Sequence, residues 1–69
     1  MRYTIILERG EKNFSAYAAD FPGCVAAGET ESETIGLMKE ALRIHIQDMR
    51  ERGEPIPPPS EVFEVEVAA

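Results

Sequence analysis

Residues 30–53, TESETIGLMKEALRIHIQDMRERG, decide the fold, because they combine a helical repeat with a signal at each end. Thr30 followed by Glu33 is the capping-box pattern of a helix start, and Gly53 after two arginines is typical of a helix end. Between these signals, side chains suited to one buried helical face recur every three or four residues. They are Ile35, Met38, Leu42, His45 and Met49. We therefore predict one long helix over residues 31–52.

Three short strands are predicted before this helix. Residues 2–9 (RYTIILER) are rich in β-branched and aromatic side chains, and residues 14–19 (FSAYAA) follow after the turn residues 10–13. A second interruption, residues 20–23 (DFPG), precedes the small, mildly apolar residues 24–29 (CVAAGE). Because the connections are short, the three strands are expected to form an antiparallel meander.

A proline-rich connector and one further strand are predicted after the helix. Residues 54–60 (EPIPPPS) contain four prolines and must be extended and stiff. Residues 62–67 (VFEVEV) then alternate, with apolar side chains at 63, 65 and 67 and glutamates at 64 and 66, which predicts a half-buried strand. The expected architecture is therefore α+β, in the order β-β-β-α-β. One long helix packs on one face of an antiparallel sheet, in a single domain over residues 1–69.

Length and charge restrict the function. A chain of 69 residues buries about 60% of its unfolded surface, which supports one thin core and excludes a cofactor-binding domain beside a substrate domain. The 13 acidic and 7 basic residues give a net charge of −6. Nucleic-acid binding by bulk electrostatics is therefore excluded, since phosphate binding relies on Lys and Arg. A partner selected by charge would be basic.

Cysteine usage and the N-terminus indicate a cytoplasmic protein. Cys24 is the only cysteine, so the chain has no internal disulfide and no cysteine-based zinc site, which fits a reducing compartment. The N-terminus lacks the pattern of a secretory signal, and no apolar run approaches the length that spans a membrane.

No residue is assigned a catalytic, cofactor-binding or metal-binding role. His45 lies on the apolar stripe without a nucleophile placed near it by sequence, and Cys24 has no neighbouring cation to stabilise a thiolate. For both, a structural role is favoured. The enzymatic alternative is a degenerate metal-dependent hydrolase using Glu8, Asp20 and Glu29, which lie at predicted strand ends.

More apolar surface is present than a domain of this size can bury. Neither of the first two strands is polar on its outer side, and the helix carries apolar residues away from its main stripe. Self-association into a homodimer or a higher homo-oligomer is therefore favoured. The candidate residues for that surface are Ile6, Tyr17, Leu37 and Ile44.

An ordered set of short motifs resembles the HicB-like antitoxin family over residues 1–60. The first is Tyr17-x-Ala19-Asp20-Phe21-Pro22-Gly23-Cys24, which is followed by Ala27-Gly28 and by Thr30-x-x-Glu33. Glu40-Ala41-Leu42 and Gly53-Glu54-x-Ile56-Pro57-x-Pro59-Ser60 complete the set. The motif residues expected to serve the fold or a partner are Tyr17, Asp20, Pro22, Gly23, Cys24, Gly28 and Thr30.

The resemblance implies a domain similar to a partial RNase H fold without the acid cluster of the nuclease. It implies the antitoxin half of a HicA–HicB pair, whose partner is a small basic toxin that cleaves messenger RNA. The antitoxin is expected to cover the active surface of that toxin, with the helix and the neighbouring sheet edge as contact surfaces. An acidic chain suits this task.

In one respect the chain departs from many family members, which carry a C-terminal DNA-binding domain. This sequence ends at Ala69, directly after the last predicted strand, so operator binding is not expected. The leading hypothesis is a non-enzymatic antitoxin-like binding protein. The alternatives are the hydrolase named above and an orphan structural or regulatory oligomer without a toxin partner.

Overall fold

The chain folds into three strands followed by one helix, as the computed structural model shows for residues 1–68, with Ala69 outside the described residues. The strands are β1 (Ile5–Arg9), β2 (Phe14–Ala18) and β3 (Val25–Gly28), and the helix is α1 (Glu31–Glu51). The α+β class is confirmed, as is the order of these four elements. Each observed strand is one to three residues shorter than its predicted range at one or both ends.

The three strands form an antiparallel sheet in the order β1-β2-β3. Leu7 lies opposite Ala16, which in turn lies opposite Ala26 on the third strand. Because side chains alternate along a strand, this row faces α1, and the next residues along face away from it. Since β2 is central, β1 has a neighbouring strand on one side only within the described chain.

The predicted strand at residues 62–67 is not formed within the described residues. Its four apolar side chains are largely exposed, from 68% at Val62 to 81% at Val65, and the segment pairs with no strand among residues 1–68. Alternation identified a segment with one apolar face, but a strand also requires a neighbouring edge that supplies its backbone hydrogen bonds. The prediction of a fourth strand in the isolated chain is therefore wrong.

Both ends of α1 carry the predicted caps. The Thr30 hydroxyl accepts a hydrogen bond from the Glu33 amide at 3.0 Å. At the other end, Gly53 has a φ of +72°. Its amide donates to the Arg50 carbonyl at 3.1 Å, while the Glu54 amide donates to the Met49 carbonyl at 2.9 Å. These two bonds form a Schellman motif, which requires the left-handed conformation that glycine adopts without strain.

Small residues on β2 and β3 allow α1 to lie close to the sheet. Ala16 and Ala18 are buried beneath it, and a Cβ placed on Gly28 would lie 2.7 Å from Oγ1 of Thr34. Thr34, which the apolar repeat did not identify, is fully buried and donates its hydroxyl proton to the Thr30 carbonyl at 2.7 Å. Ile35, which the repeat placed on the buried stripe, is instead 43% exposed.

The core is built around Phe21 from the loop between β2 and β3. Its ring is 2% exposed and makes edge contacts with Tyr3, at a centroid distance of 4.9 Å, and with His45, at 5.7 Å. Met38 is fully buried in the same cluster. The interruption between the two predicted strands therefore supplies the largest side chain of the core.

Replacing Phe21 with alanine is expected to lower the free energy of unfolding by about 3–5 kcal/mol, the usual loss for a buried phenylalanine. Since a domain of this size has little stability in reserve, the variant should be largely unfolded at 37 °C. Circular dichroism during urea titration measures the change. Leu37→Ala, on the exposed side of α1, is the control, with an expected loss of about 0.5 kcal/mol or less. Similar losses for the two variants would contradict this account of the core.

Alanine at the two glycines 28 and 36 should shift stability in opposite directions. The Gly28→Ala methyl group would meet Thr34 and Glu33, and such overpacking costs about 1–3 kcal/mol. The Gly36→Ala methyl group would enter open space within α1, where alanine is favoured by about 0.5–1 kcal/mol. Thermal melts at one protein concentration should show a lower Tm for the first variant and a higher Tm for the second. A Gly28→Ala protein as stable as wild type would disprove the close approach of helix and sheet.

Candidate interaction surfaces

The loop over residues 20–24 is held in place by its own backbone. The Cys24 amide donates to the Phe21 carbonyl, and the Ala18 amide donates to the Cys24 carbonyl, both at 3.1 Å. Gly23, with a φ of +86°, supplies the positive φ that this tight turn requires. The loop thereby directs Phe21 inward and leaves Pro22 exposed.

Asp20 fastens the proline-rich connector to the end of the sheet. Its carboxylate accepts a hydrogen bond from the Ser60 amide at 3.0 Å and a second one from the Ser60 hydroxyl. The hydroxyl and then the amide of Ser60 lower the pKa of the Asp20 carboxyl below its ordinary value, because both bonds favour the charged form. Asp20 therefore acts as an anchor between segments 40 residues apart in sequence.

Tyr3 provides a second anchor for the connector. Its hydroxyl donates to the Pro57 carbonyl at 2.7 Å, while Ile56 packs against the core cluster. Residues 56–60 therefore pass from the side of β1 towards the end of β2, where Asp20 lies.

The only cysteine and the only histidine both contact the core. Cys24 is buried, and burial raises the pKa of its thiol, so the reactive thiolate is disfavoured at neutral pH. His45 is partly buried, with its ring against the edge of Phe21.

The four candidate residues for self-association lie on two opposite sides of the molecule. Ile6 and Tyr17 are cross-strand neighbours on the sheet face that points away from α1, next to the exposed Val25. Leu37 and Ile44, seven residues apart and both exposed, lie on the solvent side of α1. The structure therefore does not bring the four residues together into one surface.

The three carboxylates of the hydrolase alternative do not converge. Glu8 is on β1 opposite Ser15, and Glu29 directly follows β3, so both lie at the end of the sheet where α1 begins. Asp20 follows β2 at the opposite end and is engaged with Ser60. Across residues 1–68, no three His, Cys, Asp or Glu side chains are grouped so as to hold a metal ion. The site required by that alternative is not formed.

An apolar groove with a volume of about 380 Å³ runs between the start of β1 and α1. Its apolar lining consists of Met1, Tyr3, Ile5, Ile35, Leu42, Ile46 and Ile56. Lys39, Arg43 and Arg50 also line it, and none of the lining residues is acidic. We call this feature the β1 groove. It explains the exposure of Ile35, which lines the groove instead of lying beneath the sheet.

The β1 groove was not identified from the sequence, although a signal was present. Lys39, Arg43 and Arg50 are spaced by four and seven residues, so they fall on one side of a helix. Ile35, Leu42 and Ile46 share that side by the same periodicity. A basic and apolar helix side with no sheet beneath it would have indicated the groove.

The fold and these surfaces define a small acidic α+β domain with an open sheet edge and an apolar groove beside it. Within residues 1–68 there is no helix both long and apolar enough to cross a membrane. Comparison with known proteins assigns the domain to a family.

The sequence profile of the family described as "HicB-like antitoxin of bacterial toxin-antitoxin system" matches residues 3–68. The chain therefore belongs to the HicB-like antitoxin family. It is similar to the UPF0150 protein Ta0767 of Thermoplasma acidophilum, with 33% identity over 83% of this chain and 84% of the relative.

A second relative is an uncharacterized 14.9 kDa protein from the rep-hol intergenic region of Haemophilus phage HP1. It is 39% identical over 57 residues, which cover 83% of this chain and 43% of the phage protein. The chain thus spans less than half the length of that relative. No solved structure gives a significant match.

The family-motif residues serve different parts of the structure. Thr30 caps α1, and Gly28 lies against Thr34. Asp20 holds the connector, and Gly23 and Cys24 shape the loop that carries Phe21. Two motif side chains, Tyr17 and Pro22, are exposed.

The hydrogen bonds from Ser60 should be visible in the titration of Asp20. Since the pKa of Asp20 is lowered in the folded chain, the anchor stabilises the fold above the unfolded-state pKa, and this contribution is lost as the pH falls through the folded-state pKa. Ser60→Ala should raise the pKa of Asp20 towards its ordinary value, as followed by NMR of the carboxyl carbon. Ser32→Ala, at the exposed start of α1, should leave the pKa unchanged. An unaltered Asp20 titration in Ser60→Ala would contradict the anchor.

Proposed function

We propose that the protein is the antitoxin of a small basic toxin of the HicA type, which cleaves messenger RNA, and that it neutralises this toxin by covering its active surface. The observation that carries the proposal is the family match over residues 3–68. In this proposal the chain acts in the cytoplasm, where messenger RNA is available to the toxin, and it catalyses no reaction.

The charge of the chain supports this partner. A ribonuclease must attract phosphates, so its active surface carries an excess of Lys and Arg. A protein with a net charge of −6 is attracted to that surface and competes there with RNA. Complementary charge accelerates association and excludes acidic competitors, while tight binding also requires buried apolar contacts.

The acidic residues that would attract a basic partner lie in two regions of the chain. Glu29, Glu31 and Glu33 lie around the start of α1, and Lys39 is the next basic residue along the chain. Residues 61–66 contribute three more glutamates and no basic residue. The acidic charges of the first region are exposed in the folded chain, so they are free to meet a basic partner.

Exposed apolar side chains are available for the apolar contacts that tight binding requires. Tyr17 and Val25 lie on the outer face of the sheet, and Leu37 and Ile44 lie on the outer side of α1. Both surfaces are accessible to a partner without unfolding of the chain. An antitoxin of this size needs such surfaces, since it has too little interior to enclose its partner.

Titration of the full chain into the basic toxin encoded beside its gene tests the proposal. RNA cleavage should stop at a fixed stoichiometry, and calorimetry should show an affinity that falls as salt is raised from 0.05 to 0.3 M. An unrelated basic ribonuclease is the control and should retain its activity, because charge alone does not supply the apolar contacts. Absence of a complex with undiminished cleavage, or equal inhibition of both nucleases, would contradict the proposal.

A further inference from the structure

The β1 groove lies beside the free edge of β1. In the described chain β1 has β2 on one side and no strand on the other. A strand added at that edge would receive backbone hydrogen bonds from β1, and every second side chain would point towards α1. The side chains of α1 that such a strand would cover already line the groove, namely Ile35, Leu42 and Ile46. The groove therefore has the form of a vacant strand position.

Residues 61–67, which we call the C-terminal segment, have the pattern that this position requires. Phe63, Val65 and Val67 fall on one face when the segment is extended, and Glu64 and Glu66 fall on the other. The three apolar side chains are 74–81% exposed, so the segment has an unused apolar face. The apolar side chains that line the groove are likewise not covered by any strand of the described chain.

Charge favours the same pairing. The C-terminal segment carries three glutamates and no basic residue. The groove is lined by three of the seven basic residues of the chain and by no acidic side chain. Of these three, Arg43 already pairs with Glu40 at 2.6 Å, on the exposed side of α1. Glu61 shares the face of Phe63 and can meet the basic side chains of the groove, whereas Glu64 and Glu66 on the opposite face add only longer-range attraction.

The connector directs the segment away from the groove of its own chain. Pro57 is tied to Tyr3, at the start of β1, whereas Ser60 is tied to Asp20, beyond the end of β2. The intervening residues include three consecutive prolines, at 57–59, which resist a reversal of direction. To enter its own groove, the chain would have to turn back immediately after Ser60. The segment can enter the groove of a second copy without such a reversal.

We infer that the C-terminal segment of one copy adds to the free edge of β1 in a second copy, with its apolar face in the β1 groove. The second copy returns its own segment, so the exchange closes as a two-fold dimer. Each sheet gains the fourth strand that the alternation of residues 62–67 predicted, but from the partner chain. The inference does not depend on the toxin proposal.

Sedimentation velocity on the full chain between 1 and 200 µM tests this exchange. The wild-type chain should form a dimer. The double variant Phe63→Asp/Val65→Asp, which places charge on the apolar face, should weaken dimerisation at least 100-fold. It should still fold, because these side chains are exposed in the single chain, and circular dichroism verifies this. Val62→Asp, on the opposite face of the same segment, is the matched control and should leave the dimer intact.

Amide hydrogen exchange distinguishes strand exchange between two copies from occupation of the groove by the chain's own C-terminal segment. In the wild-type dimer the amides of the C-terminal segment should be protected, and the protection should disappear on dilution to the monomer. A chain that stays monomeric at 200 µM would overturn the inference. Protection that is independent of concentration would overturn it too, since the segment would then occupy its own groove. A dimer that survives Phe63→Asp/Val65→Asp but is lost in Tyr17→Asp would place the interface on the outer sheet face instead.

Discussion

The burial of Phe21 is the interaction on which the rest of the structure depends. The residues of β2 and β3 that pack beneath α1 are alanines and a glycine. Phe14 shares the face of Ala16 but is only partly buried and lies outside the core cluster, so the two strands contribute little apolar volume to the core. The ring of Phe21 supplies that volume, and it contacts Tyr3 on one side and His45 of α1 on the other. One side chain from the loop between β2 and β3 thereby joins the segment that leads into β1 with the helix.

The small residues of the sheet and the large ring of Phe21 together determine where α1 lies. Because Ala16, Ala18 and Gly28 permit a close approach, α1 lies directly on β2 and β3. This position leaves the β1 side of the helix without a sheet beneath it, and the β1 groove is the consequence. A larger residue at 28 would push the helix outward, whereas a smaller one at 21 would remove the support beneath it. The groove is thus created by the same packing that stabilises the domain.

Local signals predicted the elements whose stability is local. The capping residue Thr30 and the terminal Gly53 marked both ends of α1 to within one residue, since caps act through neighbouring backbone groups. The same reasoning missed Phe21 as a core residue, because a Pro-Gly interruption is read as a surface turn. It also missed Thr34, whose burial depends on the absent side chain of Gly28 in another element. Contacts between elements carry no signal in a short window of sequence.

The segment 62–67 shows a different limit of prediction. Its alternation correctly describes a chain with one apolar face, yet alternation contains no information about which chain supplies the neighbouring strand. In the single chain, the Asp20–Ser60 bonds and the prolines between Pro57 and Ser60 lead it away from the free β1 edge of the sheet that residues 1–68 form. The alternation of residues 62–67 predicts a strand, and the single chain leaves this strand unpaired. The two observations agree if the strand forms only in an assembly. The acidic, apolar C-terminal segment is then best understood as an interaction element of a domain too small to use it internally.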